Sequence, residues 1–155
     1  MPLGTGDRIP SFTLVDQDGT ERSSADLADR CLVLFFYPKD DTPGCTIEAC
    51  SFRDNFAELR ALGAVVWGVS ADDNVSHRRF ASRHNLPYPL LSDNGNALRR
   101  RFGVPRTFGL LPGRVTYVID AEGVIRHVFD NLLDGPAHVR EAVQVLRNLK
   151  RSTAA

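Results

Sequence analysis

The sequence has no surplus of either charge: 19 Lys and Arg balance 19 Asp and Glu. It therefore carries no overall electrostatic footprint for nucleic acid or an anionic membrane. One local cluster, Arg99-Arg100-Arg101-Phe102, reads as a solvated helix face. No apolar run approaches the roughly 18 residues of a membrane span. The N-terminal "MPLGTGDRIPSF" lacks both the basic-then-apolar pattern of a secretory leader and the Arg/Ser-rich look of a transit peptide. Cytoplasmic residence is the expectation. Cysteine is scarce and odd in number, with three residues, which argues against a disulfide-stapled scaffold and leaves catalysis, metal binding or packing. Cys31, His77, His84, His127 and His138 form no zinc-type motif with one another or with the other cysteines. No G-x-G-x-x-G fingerprint occurs, so neither a bound nicotinamide nor any other cofactor is expected.

What is present fits one soluble globular domain over residues 1–155, at 43% hydrophobic and 25% charged residues. "SFTLVDQDGT" reads as a short strand running into a turn. "LVLFFY" (32–37) and "VVWGVS" (65–70) are continuous apolar runs of the kind buried on both faces of a sheet. Between them, from Pro43 to about Leu62, Ala49, Phe52, Phe56 and Leu59 make one helical stripe. Further helices are expected over roughly Val75–Asn85 and Asn96–Phe102. "VTYVIDAEGVIRHVF" reads as a hairpin turning at Asp120–Gly123. The last helix, about Pro136–Lys150, carries Val139, Val143, Leu146 and Leu149 at helical spacing. Strands interleaved with helices, followed by a hairpin and a final helix, predict a thioredoxin-like α/β fold: a three-layer α/β/α sandwich around a mixed sheet.

The stretch "YPKDDTPGCTIEAC" (37–50) lies where open sheets place their sites, at the carboxyl end of a central strand. Thr42 suits the N-cap and Pro43 the first helical position. Cys45 then falls third, among unpaired backbone N–H groups that favour the thiolate. The alternative reading is a plain helix start with a small buried cysteine. Cys50 lies five residues on, and in an ideal helix the two Cα atoms stand roughly 8–9 Å apart. A disulfide needs them within about 7 Å, so the pair can close only if the first turns of the helix unwind.

Pro38-Lys39-Asp40-Asp41-Thr42-Pro43-Gly44-Cys45 matches the P-x-x-x-T-x-x-C pattern of peroxiredoxins, and the stretch as a whole resembles the peroxiredoxin Q, or bacterioferritin comigratory protein, branch. The resemblance runs from "GDRIPSFTLVDQDG" through "LPGRVTYVIDAEGVIRHVF" to the last helix. The short, apolar "GVPRTFGLLPGR" resembles the branch of photosynthetic organisms. The resemblance implies a thiol peroxidase acting on hydrogen peroxide and organic hydroperoxides in antioxidant defence. It makes Cys45 the peroxidatic cysteine, Thr42, Pro38 and Arg114 its companions, and Cys50 the resolving cysteine of an intramolecular disulfide. Thioredoxin or a glutaredoxin-like donor would be the reductant.

The chemistry is consistent with those roles. A thiolate attacking a peroxide needs its leaving oxygen stabilised, which a fixed arginine can do if the Arg114 strand neighbours the strand ending at Tyr37. The Thr42 hydroxyl can both donate and accept, and Pro38 can shape and dry the pocket. Glu48 is either a clamp for Arg114 or Arg53, or a solvated carboxylate. Cys31 is expected to pack at its strand. A redox sensor using the same cysteine pair remains a rival, and a thioredoxin-type disulfide exchanger a weaker one, because the spacing is C-x4-C rather than C-x-x-C. The helices show no obvious leftover apolar face, so a monomer is expected, with weak dimerisation the alternative.

Overall fold

In a computed structural model of the chain, residues 2–27, 29–104, 106–107 and 111–154 are described. Within "GVPRTFGLLPGR", residues 105 and 108–110 lie outside the described residues. The strands are β1 (Thr13–Val15), β2 (Glu21–Ser23), β3 (Cys31–Phe36), β4 (Ala64–Ser70), β5 (Leu90–Ser92), β6 (Arg106–Thr107), β7 (Leu111–Pro112), β8 (Val115–Ile119) and β9 (Ile125–Asp130). The α-helices are α1 (Pro43–Asp54), α2 (Phe56–Ala61), α3 (Asn74–His84), α4 (Ala97–Phe102) and α5 (Gly135–Ala154).

Seven strands form one mixed sheet in the order β2-β1-β5-β4-β3-β8-β9. β3, β4 and β5 run parallel, while β8 joins β3 antiparallel. Central β3 explains the unbroken "LVLFFY" run. Val33, Phe35 and the following Tyr37 enter one core with Phe52, Leu59, Phe80, Val139 and Leu146. Leu32, Leu34 and Phe36 enter the other with Trp67, Leu98, Phe102 and Tyr117. Alternation across the pleat sends successive side chains to opposite faces, so a strand covered on both sides reads apolar throughout. The sandwich is uneven: α1, α2, α3 and α5 supply the first core, whereas α4 and N-terminal residues such as Phe12 cover the second.

Two expectations need correction. The single helix expected from Pro43 to Leu62 is two, α1 and α2, broken at Asn55, whose backbone turns to φ −109°, ψ 12°. Its side-chain amide donates to the Ser51 carbonyl at 2.8 Å, the local competition with helix bonding that Asn side chains offer. The arginine cluster of α4 is not wholly solvated either. Arg100 and Arg101 are exposed, but Arg99 is buried, donating to Gly113 O at 2.7 Å and Tyr37 O at 3.0 Å and lying over the Phe36 ring. Burial lowers its pKa, with Asp93, Tyr117 and Cys45 opposing.

Candidate active site

β3 delivers the chain to Tyr37, and the loop from Pro38 to Thr42 turns it into α1. A buried polar cluster fixes this loop. Asp40 accepts from the Tyr37 hydroxyl at 2.5 Å and the Ser76 hydroxyl at 2.8 Å, and lies 2.7 Å from His77 Nδ1. The Asp40 amide donates to Asp72 at 2.8 Å, and His77 Nε2 donates to the carbonyl of Leu91 at 3.0 Å. Asp40, Asp72 and His77 are the one grouping with metal-like spacing among the described residues, and both Asp40 oxygens and both His77 nitrogens are engaged in these contacts.

Thr42 takes the N-cap position with an extended backbone, but its side chain does not cap α1. The hydroxyl donates instead to Lys39 O at 2.8 Å. Pro43 is the first residue of α1 and Cys45 the third, 1% exposed. Cys50 lies on the same unbroken helix and is half-buried, and all three cysteines are free thiols. Between the two α1 cysteines, the Tyr88 hydroxyl donates to Ala49 O at 2.7 Å, pinning the helix.

Because Val115 of β8 pairs with Phe36 of β3, Arg114 enters beside the loop. It is 3% exposed and held at three points. Its Nε donates to Leu132 O at 2.9 Å, Nη1 to Glu48 Oε1 at 2.8 Å, and Nη2 to Cys45 Sγ at 3.4 Å. Burial opposes the Arg114 charge, but Glu48 and Cys45 outweigh it and raise its pKa. A Cβ on Gly44 would come within 2.9 Å of Arg114 Nη2, so the close approach of this guanidinium requires glycine there.

Glu48, one turn after Cys45, is fully buried and pairs with Arg114. Arg53, the other candidate clamp, donates to Asp54 and to His84 O instead. Burial pushes the Glu48 carboxyl up to about 7, with Arg114 pulling the other way. On its far side stands His138 of α5, also fully buried and pushed down to about 4 by burial, with the Arg114 charge in the same sense and Asn131 and Asp134 opposing. The α5 start fits there because residue 135 is glycine: a Cβ would meet the Glu48 Cα at 2.9 Å.

The structure thus brings Cys45 and Arg114 into contact, adds Glu48, and places Thr42 and Pro38 in the loop leading to them. Arg99 and His138 were missed by sequence reasoning, having no motif to mark them. Cys31 sits at the opposite end of β3, packed against the first core. Burial and the carboxylates of Asp120 and Glu122 push its thiol up.

Residues 5–128 match the model of the AhpC/TSA family. The chain is 46% identical over 148 residues to the chloroplastic peroxiredoxin Q of Triticum aestivum, covering 95% of this chain and 68% of that protein. It is likewise 46% identical over 146 residues to that of Arabidopsis thaliana, covering 94% and 68%. Among solved structures it is similar to peroxidoxin BcpB of Mycobacterium tuberculosis, with TM-score 0.87, 39% identity, and 94% and 97% of the two chains covered. The bacterioferritin comigratory protein of Xanthomonas campestris, described for its alkyl peroxide reduction activity, superposes with TM-score 0.81 at 28% identity, covering 92% and 98%.

Proposed function

Since the chain belongs to the AhpC/TSA family and is a thiol peroxidase of the peroxiredoxin Q type, we propose that Cys45 is its peroxidatic residue and Cys50 its resolving one. The observation that carries this reading is the contact of buried Arg114 Nη2 with buried Cys45 Sγ. The guanidinium is fixed from behind by Glu48 and Leu132 O, so it is already oriented before any charge develops.

In the first step the Cys45 thiolate attacks the near oxygen of a hydroperoxide. The S–O bond forms as the O–O bond breaks, giving the sulfenic acid and an alkoxide or hydroxide that takes a proton to leave as alcohol or water. Arg114 stabilises the charge on the peroxide oxygens as that bond breaks. Thr42, whose hydroxyl hydrogen is committed to Lys39 O, presents its oxygen as an acceptor for the peroxide O–H, and Pro38 shields the pocket from water.

The Cys50 thiol then attacks the Cys45 sulfenic sulfur, forming a disulfide and releasing water. Both cysteines lie in one unbroken helix, so this step unwinds the start of α1 and breaks the Tyr88 bond to Ala49. Thiol–disulfide exchange with the dithiol of thioredoxin, or of a glutaredoxin-like donor, restores the two thiols. Ile47, two residues after Cys45, and Leu133, which follows the Leu132 carbonyl that holds Arg114, are apolar side chains 55% and 93% exposed and offer a docking surface to such a reductant. The protein works as a monomer in the cytoplasm, for defence against peroxides and redox homeostasis.

The test is peroxide consumption coupled to thioredoxin and its reductase. Cys45→Ser is expected to abolish it. Cys50→Ser is expected to keep one round of peroxide reduction and lose coupled turnover. Sizeable turnover by Cys45→Ser would point to another nucleophile and refute the assignment.

A further inference from the structure

Behind Arg114, the hydrogen bonds of Glu48 and His138 do not close with both groups in their ordinary neutral-pH forms. His138 Nε2 lies 2.7 Å from the Asn131 carbonyl, which can only accept, so Nε2 carries a hydrogen. Nδ1 of the neutral ring then offers one lone pair, and it faces both the Thr116 hydroxyl at 2.7 Å, which can donate or accept, and Glu48. Glu48 Oε2 is buried, makes no hydrogen bond among the described residues, and stands 3.4 Å from that same Nδ1. An ionised Glu48 would face a lone pair with a charged oxygen and no donor, the costliest state for a buried carboxylate. One proton between Oε2 and Nδ1 removes the conflict, the Thr116 hydroxyl then turning its hydrogen away and serving Nδ1 as an acceptor whenever the ring holds that proton.

We propose that Glu48 and His138 share one proton behind Arg114, and that His138 is a positioning residue setting the pH range over which the Arg114 charge acts on Cys45 alone. While the proton is held, Glu48 is neutral and the guanidinium is the one net charge beside the sulfur. Once the proton is lost, the Glu48 carboxylate at 2.8 Å offsets that guanidinium and the cluster charge falls from positive to zero. The thiolate and the charge building on the peroxide both lose stabilisation. The opposed shifts of the two groups agree, because burial holds Glu48 protonated toward neutrality and His138 neutral well below it. Among the described residues, the other ionisable groups facing the pair are Cys45 and Arg114 at its front, Tyr88 toward Glu48 and Asp134 toward His138. Tyr88 is itself held neutral by burial. The titration therefore belongs to the cluster as a whole.

The shared proton rests on the unpaired Glu48 Oε2 and its nearness to His138 Nδ1, whereas its effect on rate rests also on the peroxidatic role of Cys45, so two readouts separate them. The first is infrared difference spectroscopy of wild type against Glu48→Gln, with nitrogen NMR of the His138 ring, from about pH 5 to about pH 9. The expected result is a protonated carboxyl in wild type that disappears near neutrality, is absent in Glu48→Gln, and moves the His138 Nδ1 signal as it titrates. A Glu48 ionised over the whole range, or a His138 ring insensitive to it, would overturn the proposal. His138→Gln, which retains a donor for Asn131 O, is expected to displace the Glu48 midpoint; an unmoved midpoint counts against sharing.

The second readout is the rate of Cys45 oxidation. Glu48→Gln can accept from Arg114 and, with the Thr116 hydroxyl turned away, donate to His138 Nδ1 at every pH, mimicking the protonated state. The ratio of its rate at about pH 8.5 to that at about pH 6 is expected to exceed the wild-type ratio several-fold. Equal ratios, with the spectroscopic result in hand, would confine the proton to a structural role and refute its part in the chemistry.

Discussion

Two buried histidines stand on either side of the Cys45 segment, and they are built differently. His77 meets an aspartate whose oxygens take donors from Tyr37 and Ser76 as well as the ring contact, and its second nitrogen is fixed on a β5 carbonyl. His138 meets a glutamate with one oxygen bonded to Arg114 and the other unpaired among the described residues. The first cluster anchors the Pro38–Thr42 loop and leaves no unpaired oxygen on its acid. The second backs the guanidinium that touches sulfur and retains room for a proton. A saturated polar network fixes geometry, whereas an unsaturated one can respond to pH. This site uses one of each.

The contrast breaks most severely at Asp40. Asp40→Ala leaves the Tyr37 and Ser76 hydroxyls without their buried acceptor and His77 Nδ1 without its carboxylate contact. The expected loss is about 3–5 kcal/mol of stability, read by denaturant titration, with no change in the pH dependence that distinguishes the His138 side. Next in size is Arg114→Ala, which removes the charged donor at Cys45 Sγ. Oxidation of Cys45 is expected to slow by about 10²–10³ in rapid-quench alkylation, and a near-wild-type rate would remove Arg114 from the chemistry.

A milder test displaces the guanidinium without deleting it. Gly44→Ala places a methyl 2.9 Å from Arg114 Nη2, so the side chain must shift. The same assay is expected to show a loss of about tenfold.

The last test sharpens the comparison through pH. Glu48 is raised from 4.5 to about 7, so its contribution to stability is fully present below about 4.5 and is lost as pH rises through about 7. His138 is lowered from 6.5 to about 4, so its contribution is present above about 6.5 and is lost as pH falls through about 4. Glu48→Gln should therefore gain stability relative to wild type between about pH 5 and about pH 8, and His138→Gln should gain relative to wild type on acidification. Parallel stability curves for wild type and both variants would show that neither group titrates on folding.

Much of this was legible in the sequence, and what was hidden has physical causes. The continuous runs of β3 and β4 announced strands covered on both faces, and Thr42-Pro43 marked the helix start with Cys45 at its third position. Arg114 was legible through the family motif, and the pairing of β8 with β3 put it in place. Asn55 was hidden because the apolar stripe continues across the break, with Phe56 and Leu59 still turned inward. Arg99 was hidden because arginine repeats say nothing about which of them faces the sheet. His138 was hidden because its partners, Thr116, Asn131 and Glu48, come from distant positions that meet only when α5 packs on α1 at Gly135.

The most direct test of the catalytic account mixes the fully reduced protein with one equivalent of hydrogen peroxide, quenches rapidly, and maps the cysteines by intact mass and peptide digestion. The account predicts a fast loss of two hydrogens that maps to a Cys45–Cys50 bond, with Cys31 still a thiol. Slow oxidation, or oxidation spread over all three cysteines, would contradict it.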